Sequence, residues 1–97
     1  MWMYRGGLKL LVDPPSVARG LWLTANDDAD WRIELRQGDR ALATVLRAGD
    51  DASPGVIRRT CLPLPAESAG FDRLHFQGTR GSQACFGGIE LVDACPP

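Results

Sequence analysis

The chain has one lysine, Lys9, and one histidine, His75, in 97 residues. Its three cysteines, Cys61, Cys85 and Cys95, form no Cys-x-x-Cys pair. With a single histidine as well, the donor set for a structural zinc site is missing. There is no excess of either charge: 11 Lys and Arg stand against 12 Asp and Glu, for a formal net charge of −1. A nucleic-acid binder concentrates basic residues on one element; here the arginines are scattered among acids, so nucleic acid is not an expected partner. Long apolar runs are also absent. Stretches such as Leu10-Leu11-Val12 and Leu21-Trp22-Leu23 fall far short of the roughly 20 residues that span a bilayer, so no membrane insertion by this chain is expected. Near the N-terminus, Arg5 and Lys9 flank a short apolar patch, and Asp13-Pro14-Pro15 follows before a signal-peptide core can form, so no signal peptide is expected. Finally, no segment sustains a three-to-four-residue apolar period, which disfavours α/β folds.

What is present is ordinary for one small globular domain: 44% apolar and 24% charged residues, too apolar for disorder. The usage of Arg, Ala, Gly and Asp is that of a GC-rich coding sequence. The clearest element is Asp30-Trp31-Arg32-Ile33-Glu34-Leu35-Arg36. At period two, Trp31, Ile33 and Leu35 share one face and Arg32, Glu34 and Arg36 the other, the pattern of a half-buried strand. Trp31 is therefore expected in the core. Binding is left to loops or to the outward face that Arg32, Glu34 and Arg36 define.

Further strands are expected over Leu8–Val12, Gly20–Ala25, Ala41–Arg47, Val56–Leu64 and Phe71–Gln77. Two short closing strands, Ala84–Phe86 and Ile89–Val92, are expected on either side of Gly87-Gly88. Turn-forming clusters separate them: Asp13-Pro14-Pro15-Ser16, Asn26 to Asp30, Gln37-Gly38-Asp39, Ala48 to Gly55, and Gly78 to Ser82. Short strands at such spacing predict an all-β antiparallel sandwich or small barrel. The division expected is an N-terminal segment, 1–19, holding a candidate first strand, and a sandwich domain, 20–97.

In the second half, Leu62-Pro63-Leu64-Pro65, Gly70-Phe71-Asp72-Arg73-Leu74-His75-Phe76, Gly81 and Gly87-Gly88-Ile89-Glu90-Leu91 follow one another. With Gly20-Leu21-Trp22-Leu23 and the Trp31–Leu35 strand before them, they resemble the galactose-binding-like jelly-roll β-sandwiches. The likeness is to those appended to bacterial membrane glycosyltransferase-like proteins, and it spans Gly20 to Val92. It implies a jelly roll truncated at the N-terminus, or a start inside a longer reading frame. It also implies a non-catalytic, carbohydrate-binding-like module accessory to a larger cell-envelope or glycosyltransferase protein. The location would be extracytoplasmic if the chain is part of such a membrane protein and cytoplasmic otherwise. No ligand residue carries over from the resemblance. The alternative is a structural or protein-interaction domain acting through a sheet face or edge.

Candidate ligand contacts are read from residue chemistry. Trp22 is out of phase with Leu21 and Leu23, so it is either core on a doubly buried strand or an exposed ring on which a sugar could stack. Arg58-Arg59 and Arg73 offer planar donors for hydroxylated or anionic ligands, although surface strand arginines are the plainer reading. Asp27, Asp28 and Asp30, with Asn26, supply the oxygen ligands of a structural calcium site, although a solvated turn is the plainer reading; no other cofactor is expected. Cys61 and Cys85 read as small buried apolar residues, with Cys85–Cys95 the loop closure considered. A catalytic set would need Cys61 or Cys85 with His75 and Asp72. Asp72 and His75 lie three apart on one strand and point to opposite faces, so no enzymatic activity is expected.

Overall fold

A computed structural model describes residues 2–3, 7–26, 29–49, 56–79 and 85–97. The described elements are eight strands: β1 (Trp2–Met3), β2 (Gly7–Ser16), β3 (Gly20–Asn26), β4 (Asp30–Gln37), β5 (Arg40–Arg47), β6 (Ile57–Pro63), β7 (Phe71–Thr79) and β8 (Cys85–Val92). A 3₁₀ turn at Ala66–Ser68 leads from β6 towards β7. The strands form two antiparallel four-stranded sheets, ordered β1-β8-β3-β6 and β2-β7-β4-β5. The all-β sandwich expected from the sequence is what is found.

The strongest sequence element behaves as its periodicity requires. Trp31, Ile33 and Leu35 on β4 are fully buried, and with Leu74 and Phe76 of β7 they build the inner face of the β2-β7-β4-β5 sheet. Leu21, Leu23 and Ala25 of β3 face them from the other sheet, with Ile89 and Leu91 of β8 packed alongside. Phe86 reaches between the layers, its ring centroid 6.1 Å from Trp31 and 5.3 Å from Phe76. Burying side chains of this size contributes about 1.5–3 kcal/mol each.

Four details depart from expectation. First, residues 1–19 contribute one strand to each sheet, through β1 against β8 and β2 against β7. Second, β2 continues through Pro14 and Pro15, and the Asp13–Pro14 peptide is cis. The prolines do not end it because β2 is an outer strand whose ladder with β7 loses regular register after Leu11, where a missing N–H is tolerated. Third, Gly87-Gly88 does not separate two strands. It lies inside β8, where the register against β3 shifts between Thr24 and Ala25 and Gly88 takes φ +136°, a bulge only glycine accommodates easily. Fourth, a similar shift between Leu35 and Arg36 brings Leu42 onto the core beside Ala43 and Val45, so β5 does not alternate cleanly.

The cysteine reading is corrected. Cys61 and Cys95 form a disulfide, with Cα atoms 5.7 Å apart; Cys61 is not a free buried thiol, and Cys95 does not close on Cys85. The topology explains the pairing. β3 lies between β8 and β6, so the chain leaving β8 must cross β3 to reach Cys61. It crosses at Gly20, where a Cβ would stand 2.8 Å from Val92 Cγ2, 3.0 Å from the Cys95 nitrogen and 3.1 Å from the Ala94 carbonyl carbon. Arg19 reinforces the junction: its N–H donates to the Val92 carbonyl, and its own carbonyl accepts from the Leu64 N–H.

Candidate functional site

The outward face of the β2-β7-β4-β5 sheet is assembled in cross-strand rows. Gly7, Gln77, Arg32 and Leu46 form one row, and Lys9, His75, Glu34 and Thr44 the next. Leu11, Arg73, Arg36 and Ala41 form the third. These residues meet because each occupies the outward phase of its own strand, opposite the buried set. Over the first two rows lies a shallow depression of about 260 Å³, lined chiefly by Gly7, Lys9, Arg32, Glu34, His75 and Gln77. Gly7 opens it by contributing no side chain.

The electrostatics of this face are uneven. Glu34 is held by Arg36, whose Nη1 donates to Glu34 Oε1 at 2.6 Å. That hydrogen bond is the largest influence holding the Glu34 carboxyl below the usual carboxylate range. Arg36 also donates to the Asp39 backbone carbonyl, which fixes the pair against the β4–β5 turn. His75 Nδ1 lies 3.7 Å from Glu34 Oε1, too far for a hydrogen bond. The imidazole pKa is pushed down, first by partial burial and then by the charges of Lys9, Arg36 and Arg73, with Glu34 opposing. His75 is therefore neutral at pH 7 and able both to donate and to accept. Lys9 and Arg32 are exposed and make no ion pair with any described residue.

Of the sequence-predicted ligand residues, Trp22 and Arg59 come together, while Arg58 and Arg73 lie elsewhere. Arg73 belongs to this face, beside Asp72 at 3.7 Å. Trp22 is on the outside of the opposite sheet, in the phase opposite to Leu21 and Leu23, and is half-buried there. Its ring is covered by Arg59, whose guanidinium carbon stands 4.0 Å from the ring centroid and whose Nη2 donates to Glu90 at 3.0 Å. Trp22, Thr24, Arg59, Gly87, Gly88 and Glu90 border a smaller depression of about 170 Å³. Arg58 lies on the outer strand β6 opposite Ala25, away from both depressions.

Of the calcium candidates, Asp27 and Asp28 lie outside the described residues. Asp30 Oδ1 accepts the Gly49 N–H at 2.6 Å. The buried Arg47 donates through Nη2 to the carbonyls of Asn26 and Ala29, at 2.6 and 2.9 Å, taking two oxygens that a cation in this turn would draw on. Among the described residues, no group of three His, Cys, Asp or Glu side chains is arranged to hold a metal. Of the residues weighed as a catalytic set, Cys61 is oxidised and lies in the sheet opposite to β7. Asp72 and His75 share β7, where Asp72 accepts from the Gly38 N–H at 2.9 Å and His75 faces outward; the Cys85 side chain lies outside the described residues.

Sequence reasoning singled out Arg32, Glu34 and Arg36 as an outward face but missed Lys9, His75 and Gln77. Each was already in outward phase on its strand; what was lacking was the pairing that sets β2 and β4 on either side of β7. No family model, curated protein or solved structure matches the chain, and among the described residues no helix is long and apolar enough to cross a membrane.

Proposed function

We propose that the chain is a non-catalytic β-sandwich module that binds carbohydrate on the outward face of the β2-β7-β4-β5 sheet. The observation that carries this reading is the depression beside Gly7, where Lys9, Arg32, Glu34, His75 and Gln77 bring donors and acceptors together over a rigid sheet. Sugar hydroxyls need both kinds of partner, and the volume, just below the usual range of ligand sites, limits the site to one ring. The jelly-roll part of the reading is supported by the nested pairing β1 with β8, β2 with β7, β3 with β6 and β4 with β5, the pattern of a long ribbon rolled into two sheets. Disulfides persist in oxidising compartments, so Cys61–Cys95 supports an extracytoplasmic location.

A glycan array tests the proposal, with Gly7→Phe to fill the depression. Among the described residues a Cβ at Gly7 meets only the Phe76 carbonyl oxygen, at 3.7 Å, so the backbone accepts a side chain there, and a melting temperature matching the parent's checks that the variant folds. Hits abolished by Gly7→Phe and kept by Trp22→Ala support the site. The reverse pattern moves it to the Trp22 face, and an empty array overturns the carbohydrate reading.

A second reading, an interaction domain, is favoured by β5. It is an outer strand in which Ala41 to Leu46 carry no charge and Leu46 is 71% exposed, the kind of edge that pairs with another strand. A stable dimer by light scattering that Thr44→Lys dissociates supports that reading; a monomer at high concentration sinks self-pairing.

A further inference from the structure

Resting on the carbohydrate reading, we infer that the ligand of the β2-β7-β4-β5 face is an acidic saccharide, one bearing a carboxylate or sulfate. The whole chain is near neutral, yet the three rows carry Lys9, Arg32, Arg36 and Arg73 against the single carboxylate of Glu34. That carboxylate is already engaged by Arg36 at 2.6 Å. Arg73 is partly balanced by Asp72 at 3.7 Å. Asp30, at the far end of β4, is turned to the Gly49 N–H. Lys9 and Arg32 remain, on opposite sides of β7 and flanking the depression, with no ion pair to any described residue.

An anionic group seated between them meets a planar, bidentate-capable guanidinium from β4 and a point charge from β2. Gln77 and His75 lie between the two strands as neutral hydrogen-bonding partners for the ring hydroxyls. The small, shallow depression suits one charged sugar unit better than a tracked polyanion, which needs an extended basic groove.

The surroundings also give binding a pH dependence. Lys9, Arg36 and Arg73 press on His75 against the lone Glu34, while Thr44 completes the row without charge. Protonating His75 adds a further cation to the face, so an acidic ligand binds more tightly as pH falls through the imidazole pKa.

The experiment is an array of matched neutral, uronic-acid and sulfated glycans, with polyphosphate as a sugar-free polyanion, read for the intact chain, Lys9→Ala, Arg32→Ala and His75→Gln. The expected result is binding to acidic members only. Arg32→Ala should weaken it about tenfold or more, with the melting temperature little changed because this arginine is exposed and makes no ion pair with any described residue. His75→Gln should abolish the tightening at low pH. Equal binding of matched neutral glycans overturns the acidic specificity and leaves the carbohydrate function standing. Polyphosphate bound as tightly as the acidic glycans keeps the anion site but overturns the saccharide. Binding to no member overturns both.

Discussion

Breaking the Cys61–Cys95 bond removes a clasp whose worth follows from the fold. The cysteines are 34 residues apart in sequence. Closing a loop of that length removes about 13 cal/mol/K of entropy from the unfolded chain, or about 4 kcal/mol at 25 °C in the chain-entropy model. For a domain of this size, where 1 kcal/mol moves the midpoint by about 4–8 °C, the melting temperature should fall by about 15–30 °C. The perturbation is Cys61→Ala with Cys95→Ala, or reduction of the intact chain, followed by circular dichroism. The linkage needs its own check. Trypsin leaves Cys85 and Cys95 in one peptide, so a second cut at Glu90 or Asp93 is required before non-reducing mass spectrometry assigns the pair. Gly20→Ala probes the same clasp from below, since the new methyl pushes on the Val92 side chain and on the backbone of Ala94 and Cys95. Such overpacking costs about 1–3 kcal/mol while the disulfide holds the tail down, and less once the tail can lift. The two perturbations should therefore couple in a double-mutant cycle. A melting temperature unmoved by reduction, or additive costs in the cycle, refutes the reasoning.

Trp31→Ala should cost about 3–5 kcal/mol, because the ring is fully buried against Phe86; a well-folded variant by urea titration would overturn its placement in the core. Thr60→Val should stabilise by about 1 kcal/mol, since the buried hydroxyl has no hydrogen-bond partner among the described residues; a loss in the same titration contradicts this. Acid should weaken the fold through His75. Its folded pKa lies below its unfolded value near 6.5, so the unfolded chain binds more protons and stability declines as pH falls from that value through the folded pKa. Glu34, also lowered, adds a loss as pH falls from the ordinary carboxylate value through its own folded pKa. His75→Gln should flatten the first decline only, and a mutant melting curve that still drops between pH 7 and 5.5 like the parent removes His75 as its cause. Excess calcium should leave the melting temperature unchanged, given Arg47 on the Asn26 and Ala29 carbonyls; a rise that Asp30→Asn abolishes would establish a calcium site in that turn.

The strands were legible where chemistry is local. Trp31, Ile33 and Leu35 alternate with charges, and a two-residue period has one interpretation when three large apolar side chains share its phase. Gln37-Gly38-Asp39 marks the β4–β5 hairpin for the same reason: its turn requires Gly38 at φ +56°. The misread places are those where position in the sheet outweighs residue identity. Pro14 and Pro15 would end a central strand but not an outer one, and Gly87-Gly88 reads as a break unless β3 is known to run past it.

The site was less legible because pairing, and not composition, creates it. Counted along the chain, Lys9, Arg32 and Arg73 are isolated cations among acids. Folded, β7 lies between β2 and β4, and Lys9, His75 and Glu34 become neighbours in one row. The same topology sends Trp22 to the far side of the sandwich from Arg73, so these two, which looked like sugar contacts one at a time, cannot share a ligand. A near-neutral sequence can thus present a basic face. The sandwich sorts charge by strand phase: three strands with cations in outward phase meet in one sheet, while Glu90 lies on the other and Asp72 accepts a turn N–H. Net charge excludes an anionic ligand only when charge is spread evenly in space, and a sheet with two distinct faces breaks that condition.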